Sequence, residues 1–288
     1  MKIPLTLSMS LNVMLAGIVG YTLGFKESSK RPPWEADPKT EHNSHHGHHP
    51  TAQKANPREH SLSGALDHQS PKETLESIAE RQKSSGEFSP KYYYRKSLFE
   101  MLPKDQVDIV FLGDSITETA EWSEIFPGKH IVNRGIGGDT TRGILLRLND
   151  TLAAKPKKIF LMIGINDLYY GNSPRTALHH YEEIIQTIRA QSPETELYIQ
   201  STLPANNQDF DDVPVNTRDV DIINKGLRKM AAHYDATFID LGALLKDENN
   251  QLDLMYTNDG IHLTGKGYRI WANAIKPYID PEKRYSSI

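Results

Sequence analysis

The chain has 288 residues, of which 38% are hydrophobic and 24% charged, with a formal net charge of −4 at pH 7. That length and apolar content can build a substantial core, whereas the slightly negative charge argues against a nucleic-acid partner. There is no cysteine, which excludes disulfide frameworks, thiolate nucleophiles and cysteine-held zinc or iron–sulfur sites.

The first segment of the chain is apolar. Residues 3–25 contain no charged side chain, and at a helical rise of about 1.5 Å per residue they just span a hydrocarbon core. Residues 1–25 are therefore predicted to be a membrane signal anchor or a signal peptide, with a buried helix as the alternative. The rest of the chain is expected to be exported to the periplasm or cell exterior, membrane-anchored, or secreted if the segment is cleaved.

Residues 26–69 are rich in proline and poor in large apolar side chains, which predicts a disordered tether. Five of its histidines crowd together: His42, His45, His46, His48 and His49. Imidazoles at this density can bind Zn, Ni or Cu, and they are equally compatible with a polar spacer.

The remaining residues, 70–288, are predicted to form one folded domain with an N-terminal helical lead-in over 70–103. Two helices are predicted in the lead-in, over 70–83 and 92–101. Short β-branched runs then predict strands at 107–112, 131–133, 159–163, 197–201 and 237–241, and helical patterns occupy 140–152, 174–190, 220–234 and 267–278. Strands alternating with helices predict a five-stranded parallel sheet covered on both faces, with its ligand at the carboxyl ends of the strands.

Polar and glycine residues follow the first three predicted strands. Ser115 stands at a strand-to-helix turn, where a hydroxyl is exposed and a backbone N–H lies near a helix start. Gly135, Gly137 and Gly138 can present backbone N–H groups to a ligand, and Asn166 carries an amide that can donate to a developing negative charge. Taken singly, each also fits a helix cap or a tight turn.

An acid–histidine pair lies near the C-terminus. Asp259 precedes His262 by three residues, so its carboxylate can reach back to the imidazole and fix the tautomer that a serine–histidine pair needs. A surface pair is the alternative. The other histidines outside the tether, His130, His179, His180 and His233, are interpreted as structural or solvated.

Four short motifs together resemble the SGNH/GDSL hydrolase family. They are Gly-Asp-Ser at 113–115, Gly-Ile-Gly-Gly-Asp at 135–139, Gly-Ile-Asn-Asp at 164–167 and Asp-Gly-Ile-His at 259–262. The similarity covers roughly residues 92–278 and is greatest to the branch that contains platelet-activating-factor acetylhydrolase catalytic subunits and bacterial carbohydrate O-acetylesterases. It implies a flavodoxin-like three-layer α/β/α fold.

The resemblance also implies a role for each motif residue. Ser115 would be the nucleophile, His262 the general base and Asp259 its orienting carboxylate. The oxyanion hole would consist of the N–H groups of Ser115 and Gly138 and the side chain of Asn166. Supporting positions would be held by Asp114, Asp139 and Asp167. No metal or organic cofactor is expected.

The expected function is therefore a serine esterase that hydrolyses short acyl esters, acetyl above all, on a carbohydrate or cell-envelope glycan. A lysophospholipase or thioesterase is the alternative, and a membrane-tethered glycan- or metal-binding module with a vestigial hydrolase fold is a remote one. The expected rim of the acyl or sugar site is the polar loop 203–218, which otherwise reads as a solvated loop. Its polar residues are Asn206, Asn207, Asp209, Asp211 and Asp212. No oligomeric state is predicted.

Overall fold

A computed structural model describes residues 88–105 and 107–280. Its centre is a sheet of five parallel strands in the order β2-β1-β3-β4-β5. The strands are β1 (Ile109–Gly113), β2 (Ile131–Gly135), β3 (Lys158–Met162), β4 (Glu196–Gln200) and β5 (Thr237–Ile239). This order is that of the flavodoxin-like folds, so the predicted fold class is confirmed.

Ten helices flank the sheet within the described ranges. They are α1 (Pro90–Met101), α2 (Ser115–Glu118), α3 (Trp122–Ile125), α4 (Thr141–Leu145), α5 (Leu148–Leu152), α6 (Ile165–Tyr169), α7 (Pro174–Gln191), α8 (Thr217–His233), α9 (Gly242–Leu245) and α10 (Gly265–Ile279). The three long helices α7, α8 and α10 agree with the predicted ones to within a few residues.

Two predicted boundaries are wrong. The helix expected over 140–152 is split into α4 and α5 around Arg147, because the chain turns there to bring the arginine side chain inside. The fifth strand ends at Ile239 rather than at residue 241, since Leu241 already begins the turn into α9.

An aromatic ladder crosses the three central strands. Phe111 on β1 pairs with Phe160 on β3, which pairs with Tyr198 on β4, with ring centroids 5.0 and 4.5 Å apart. Trp122 stacks on Phe111 at 3.8 Å, and Trp271 of α10 meets Trp122 edge-on at 4.8 Å. The ladder thereby fixes α10, and with it the turn that precedes α10, against the middle of the sheet.

Helix α1 packs beside the loop that follows β2. Tyr92 and Phe99 are buried against Ile136, and the Tyr92 hydroxyl donates a 2.9 Å hydrogen bond to the carbonyl oxygen of Gly143. The predicted second lead-in helix is therefore present and contacts the loops that precede α4.

The segments upstream of residue 88 lie outside the described residues. They include the predicted anchor over 1–25, the tether over 26–69 with its histidine tract, and the predicted helix over 70–83, so all of these stay predictions. Among the residues that are described, no helix is long and apolar enough to cross a membrane.

Candidate active site

The sheet order brings three of the predicted motifs together. Because β1 lies between β2 and β3, the segments that leave their carboxyl ends are neighbours. Ser115 begins α2 directly after β1, Gly138 lies in the loop after β2, and Asn166 is in the first turn of α6 after β3.

The fourth motif, at residues 259–262 between β5 and α10, also contacts Ser115. The Ser115 Oγ lies 2.8 Å from His262 Nε2, and His262 Nδ1 lies 2.7 Å from Asp259 Oδ2. These are hydrogen-bond distances, and they link a hydroxyl, an imidazole and a carboxylate in one line. The side chains of His262 and Asp259 are 43% and 54% exposed, so the line lies open to solvent.

The turn that carries Asp259 and His262 holds the carboxylate in place. Asp259 Oδ1 accepts the backbone N–H groups of Ile261 at 3.0 Å and His262 at 2.8 Å. Partial burial would raise the pKa of Asp259, but these N–H groups and the His262 ring outweigh it and hold the pKa below its ordinary value. Asp259 is therefore ionised at neutral pH and can accept a hydrogen bond from His262 Nδ1.

Thr257 closes this turn from within. Its hydroxyl oxygen accepts the N–H of Gly260 at 2.9 Å and lies 3.3 Å from Asp259 Oδ1. Gly260 has φ +80°, and a Cβ there would lie 2.6 Å from the carbonyl oxygen of Asn206. The position therefore requires glycine, both for its dihedral angle and for the close approach of a neighbouring backbone.

The polar loop 203–218 differs in part from the expectation. Asn206 is 1% exposed, and its N–H donates to the carbonyl oxygen of Gly260 at 2.8 Å. It thus supports the turn beneath Asp259 and His262 instead of lining an open rim or facing solvent. Asn207, Asp209, Asp211 and Asp212 are exposed, and their place in a substrate rim stays a prediction.

Three potential hydrogen-bond donors lie in the segments that follow β1, β2 and β3. The Ser115 N–H opens α2, and Gly138 adopts φ +78° in the loop after β2. The Asn166 amide has two N–H donors, and one of them donates to the carbonyl oxygen of Asp139 at 2.9 Å. That contact fixes the orientation of the amide beside Gly138.

Arg147 ties the strand ends together under the site. Its guanidinium donates to the carbonyl oxygens of Gly113 at 3.0 Å and Arg134 at 2.8 Å, and its Nε donates to Asp139 Oδ2 at 2.8 Å. Arg147 is only 4% exposed. One buried cation thereby joins the ends of β1 and β2 to the residue that orients Asn166.

Three buried carboxyl groups lie in this region. Asp114, Asp139 and Asp167 are each 1% exposed. Burial raises the pKa of Asp114 to about 7, with Asp139 and Asp167 raising it further. Burial also raises the pKa of Asp139 and of Asp167 to about 6, although Arg147 lowers the former and Thr141 the latter.

Each of these carboxyl groups has a backbone or side-chain partner. Asp114 Oδ1 caps α2 by accepting the N–H of Ile116 at 3.0 Å. Asp167 accepts the Thr141 hydroxyl at 2.6 Å and the Thr141 N–H at 2.9 Å. Thr141 Oγ1 lies in turn 3.1 Å from His180 Nδ1, and burial lowers the pKa of His180 to about 4. His180 is thus a neutral structural side chain, as predicted.

A family model agrees with this site. Residues 111–270, more than half of the chain, match the GDSL-like Lipase/Acylhydrolase family. The chain belongs to this family. It is accordingly an SGNH-type acylhydrolase, a carboxylic ester hydrolase.

Individual relatives of this GDSL acylhydrolase support the assignment. Human platelet-activating factor acetylhydrolase IB subunit alpha2 is 29% identical over 167 residues, which cover 56% of this chain and 71% of the relative. A solved structure from Streptococcus pneumonia, described as a candidate platelet activating factor, is 30% identical with a TM-score of 0.63, covering 70% of this chain and 99% of that one. A GDSL-like lipase from Bacteroides thetaiotaomicron, at 24% identity and a TM-score of 0.57 over 66% and 98% of the two chains, shares the fold.

Four residues at or near the GDSL site are not indicated by the sequence motifs. Arg147 stands in a run of leucines, which is a signal for a buried charge, but its partners are distant in the chain. Thr141 and Thr257 reach Asp167 and Asp259 through side-chain bonds that no spacing dictates. Tyr170, four residues after Asn166, shares a helix face with it, and that spacing could have indicated the neighbourhood.

Arg147→Leu should destabilise the fold and lower activity. The substitution leaves the Asp139 carboxylate buried without its cation, which costs about 3–5 kcal/mol, and it loosens the residue whose backbone carbonyl accepts the Asn166 amide. Urea unfolding and ester hydrolysis at pH 7 would measure both effects. The double variant Arg147→Leu/Asp139→Asn should recover part of the stability, because the unpaired charge is gone. An Arg147→Leu protein as stable as the wild type would contradict this structural role of Arg147.

Asp114→Asn should change how stability depends on pH. The folded protein keeps the Asp114 proton up to about pH 7, because burial raises the pKa of this carboxyl group, whereas the unfolded chain loses the proton near the ordinary pKa of 3.8. The stabilising contribution of this proton is therefore complete at low pH, falls as pH rises and is lost above about pH 7. The neutral amide of the variant does not titrate, so this contribution does not change with pH in the variant. The urea midpoint of unfolding should therefore be higher for Asp114→Asn than for the wild type at pH 8, and nearly equal at pH 4.

Asp108→Asn provides the control for this measurement. Asp108 is at the surface, and the Lys157 side chain lowers its pKa, so the carboxylate is ionised in both states throughout pH 5–8. Its substitution should leave the slope of stability against pH unchanged in that range. A midpoint difference for Asp114→Asn that stays constant from pH 4 to pH 8 would rule out a raised pKa at Asp114.

Proposed function

We propose that the protein is a serine esterase that hydrolyses short acyl esters, acetyl above all, carried by a carbohydrate or cell-envelope glycan. The observation that carries the proposal is the unbroken line from Ser115 Oγ through the His262 ring to the Asp259 carboxylate, with contacts of 2.8 and 2.7 Å. A serine hydroxyl needs such a neighbouring base, itself oriented by a third group, to act as a nucleophile.

The proposed reaction begins with proton transfer from Ser115 to His262. With Nδ1–H directed at Asp259, the Nε2 lone pair faces the Ser115 hydroxyl and takes its proton as Oγ bonds to the ester carbonyl carbon. The carbonyl oxygen becomes an oxyanion, which accepts hydrogen bonds from the Ser115 and Gly138 N–H groups and from the Asn166 amide.

The tetrahedral intermediate then breaks down by releasing the alcohol. The imidazolium of His262, stabilised by the ionised Asp259, gives its proton to the departing alkoxy oxygen, and the C–O bond of the ester breaks. Water enters where the alcohol left, gives a proton to His262 and attacks the acyl carbon. His262 then returns the proton to Ser115 Oγ as the acyl C–Oγ bond breaks, which releases the acid and restores the serine hydroxyl. Side chains and backbone groups of this chain supply every step of the proposed reaction.

The acyl group and the alcohol are supported by different observations. The acetylhydrolase relatives act, by name, on an acetyl ester, which favours a short acyl group. The His262 and Asp259 side chains are about half exposed, so a large hydrophilic alcohol can approach the imidazole from solvent without entering the protein.

A lysophospholipase or thioesterase is the second candidate. Leu254 and Met255 are 53% and 56% exposed and lie in the segment that leads into the turn with Asp259. Exposed apolar side chains can mark a surface that contacts lipid, so these two residues favour a lipid or acyl-thioester substrate.

Ser115→Ala should abolish most of the activity and leave the fold unchanged. Loss of the nucleophile lowers kcat by about 10⁴–10⁶-fold, and Asn166→Ala, which removes one oxyanion donor, lowers it by about 10²–10³-fold. Hydrolysis of p-nitrophenyl acetate measures both, with circular dichroism to verify folding. Asn172→Ala, an exposed asparagine in the next turn, should retain wild-type activity. Labelling of Ser115 by a fluorophosphonate probe is expected, and its failure would favour the vestigial binding module.

A panel of esters separates the two enzyme candidates. The proposed esterase should prefer p-nitrophenyl acetate to the decanoate and should release acetate from acetylated xylooligosaccharides or acetylated peptidoglycan fragments. Higher kcat/KM for decanoate, together with release of fatty acid from lysophosphatidylcholine, would favour the lysophospholipase instead. Both results are read against Ser115→Ala, which must be inactive on every ester.

A further inference from the structure

Tyr170 lies on the same side of the α6 helical turn as Asn166. It directly follows α6, and its N–H donates to the Asn166 carbonyl oxygen at 2.9 Å. Residues four apart in a helical turn lie one above the other. The Tyr170 ring therefore rises from the same side of α6 as the amide of Asn166.

The Tyr170 hydroxyl ends beside Gly138. A Cβ placed on Gly138 would lie 3.1 Å from Tyr170 Oη, so the phenol occupies the space next to the glycine whose N–H is a proposed oxyanion donor. Burial raises the pKa of Tyr170, and Tyr169, Asp139 and Asp114 add to the rise. The side chain as a whole is nevertheless 59% exposed. Its hydroxyl end thus faces the protein while its ring forms an outer wall.

The geometry of ester hydrolysis assigns a direction to each group around the reacting carbon. The alkoxy oxygen must face His262 Nε2, since it receives its proton from there. The oxyanion must face Ser115 N–H, Gly138 N–H and Asn166. The acyl chain has to leave on the remaining side, away from His262.

We infer that Tyr170 walls the acyl side of the oxyanion site and restricts the enzyme to short acyl groups. This inference rests on the proposed function and adds the residue that sets its acyl specificity. An acetyl methyl group fits between the reacting carbon and the phenol, whereas a longer chain has to displace the ring. Tyr170 acts by its bulk and not as a proton donor.

Substitution of Tyr170 by a smaller residue should widen the acyl preference. In Tyr170→Ala, the ratio of kcat/KM for p-nitrophenyl hexanoate to that for p-nitrophenyl acetate should rise by about tenfold or more, the usual effect of admitting one or more methylene groups to a pocket. The change should appear in the hexanoate constants, with kcat for acetate nearly unaltered. Tyr170→Trp should shift the ratio in the opposite direction.

Two matched variants serve as controls. Tyr170→Phe keeps the ring and loses the hydroxyl, so it should keep the wild-type ratio. Tyr94→Ala removes a tyrosine of equal exposure, 58%, from the outer face of α1 and should also leave the ratio unchanged. Thermal melting of all four variants verifies that each is folded.

The possible failures are distinguishable. A wild-type enzyme that prefers decanoate, or that hydrolyses no ester, overturns the proposed function itself. A wild type that prefers acetate, together with a folded Tyr170→Ala that keeps the same preference, overturns the role of Tyr170 alone. If Tyr170→Phe and Tyr170→Ala both lose activity on acetate and hexanoate in equal proportion, the hydroxyl is an oxyanion donor and the steric role is wrong.

Discussion

The buried Arg147 guanidinium is the contact on which the site depends. Parallel strands place their carboxyl ends at one edge, but a hydrogen-bonded ladder does not fix the loops beyond it. Arg147 does so by binding the last carbonyl of β1, a carbonyl near the end of β2 and the carboxylate of Asp139. Ser115 follows the first of these, and the backbone carbonyl oxygen of Asp139 accepts a hydrogen bond from the Asn166 amide. The relative positions of nucleophile and oxyanion donors therefore follow from one five-donor cation.

Three buried carboxyl groups, those of Asp114, Asp139 and Asp167, lie near the buried Arg147. Burial of unpaired charge is costly, and burial raises the pKa values of Asp114, Asp139 and Asp167 towards neutral pH. Asp259, by contrast, lies in a partly exposed turn and has a lowered pKa. Two populations of aspartate thus coexist within one site. The buried ones shape loops, and the exposed one supports the charge on His262.

The sequence predicted the parts of the site that depend on local chemistry. Ser115, Gly138 and Asn166 follow strands whose apolar runs are easily identified, and Asp259 and His262 lie three residues apart on one turn. The contacts of Arg147 could not be predicted, because its guanidinium bonds to residues 8 to 34 positions away in the chain and no sequence spacing indicates such a contact. For the same reason the single helix predicted over 140–152 is split. Asn206 was read as a rim residue, since a polar side chain in a loop gives no sign that its backbone holds a distant glycine turn.

Helix α1 has a consequence for where the catalytic unit begins. The family similarity starts at residue 111, yet Lys91 of α1 forms a 2.6 Å ion pair with Glu118 Oε2, and the same oxygen accepts the N–H of Gly137 at 2.8 Å. The backbone next to Gly138 is therefore braced by a side chain that precedes all four motifs. A recombinant fragment cut at the edge of the similarity would retain every motif and lose this brace. Helix α1 thus belongs to the catalytic unit, although it lies outside the family similarity.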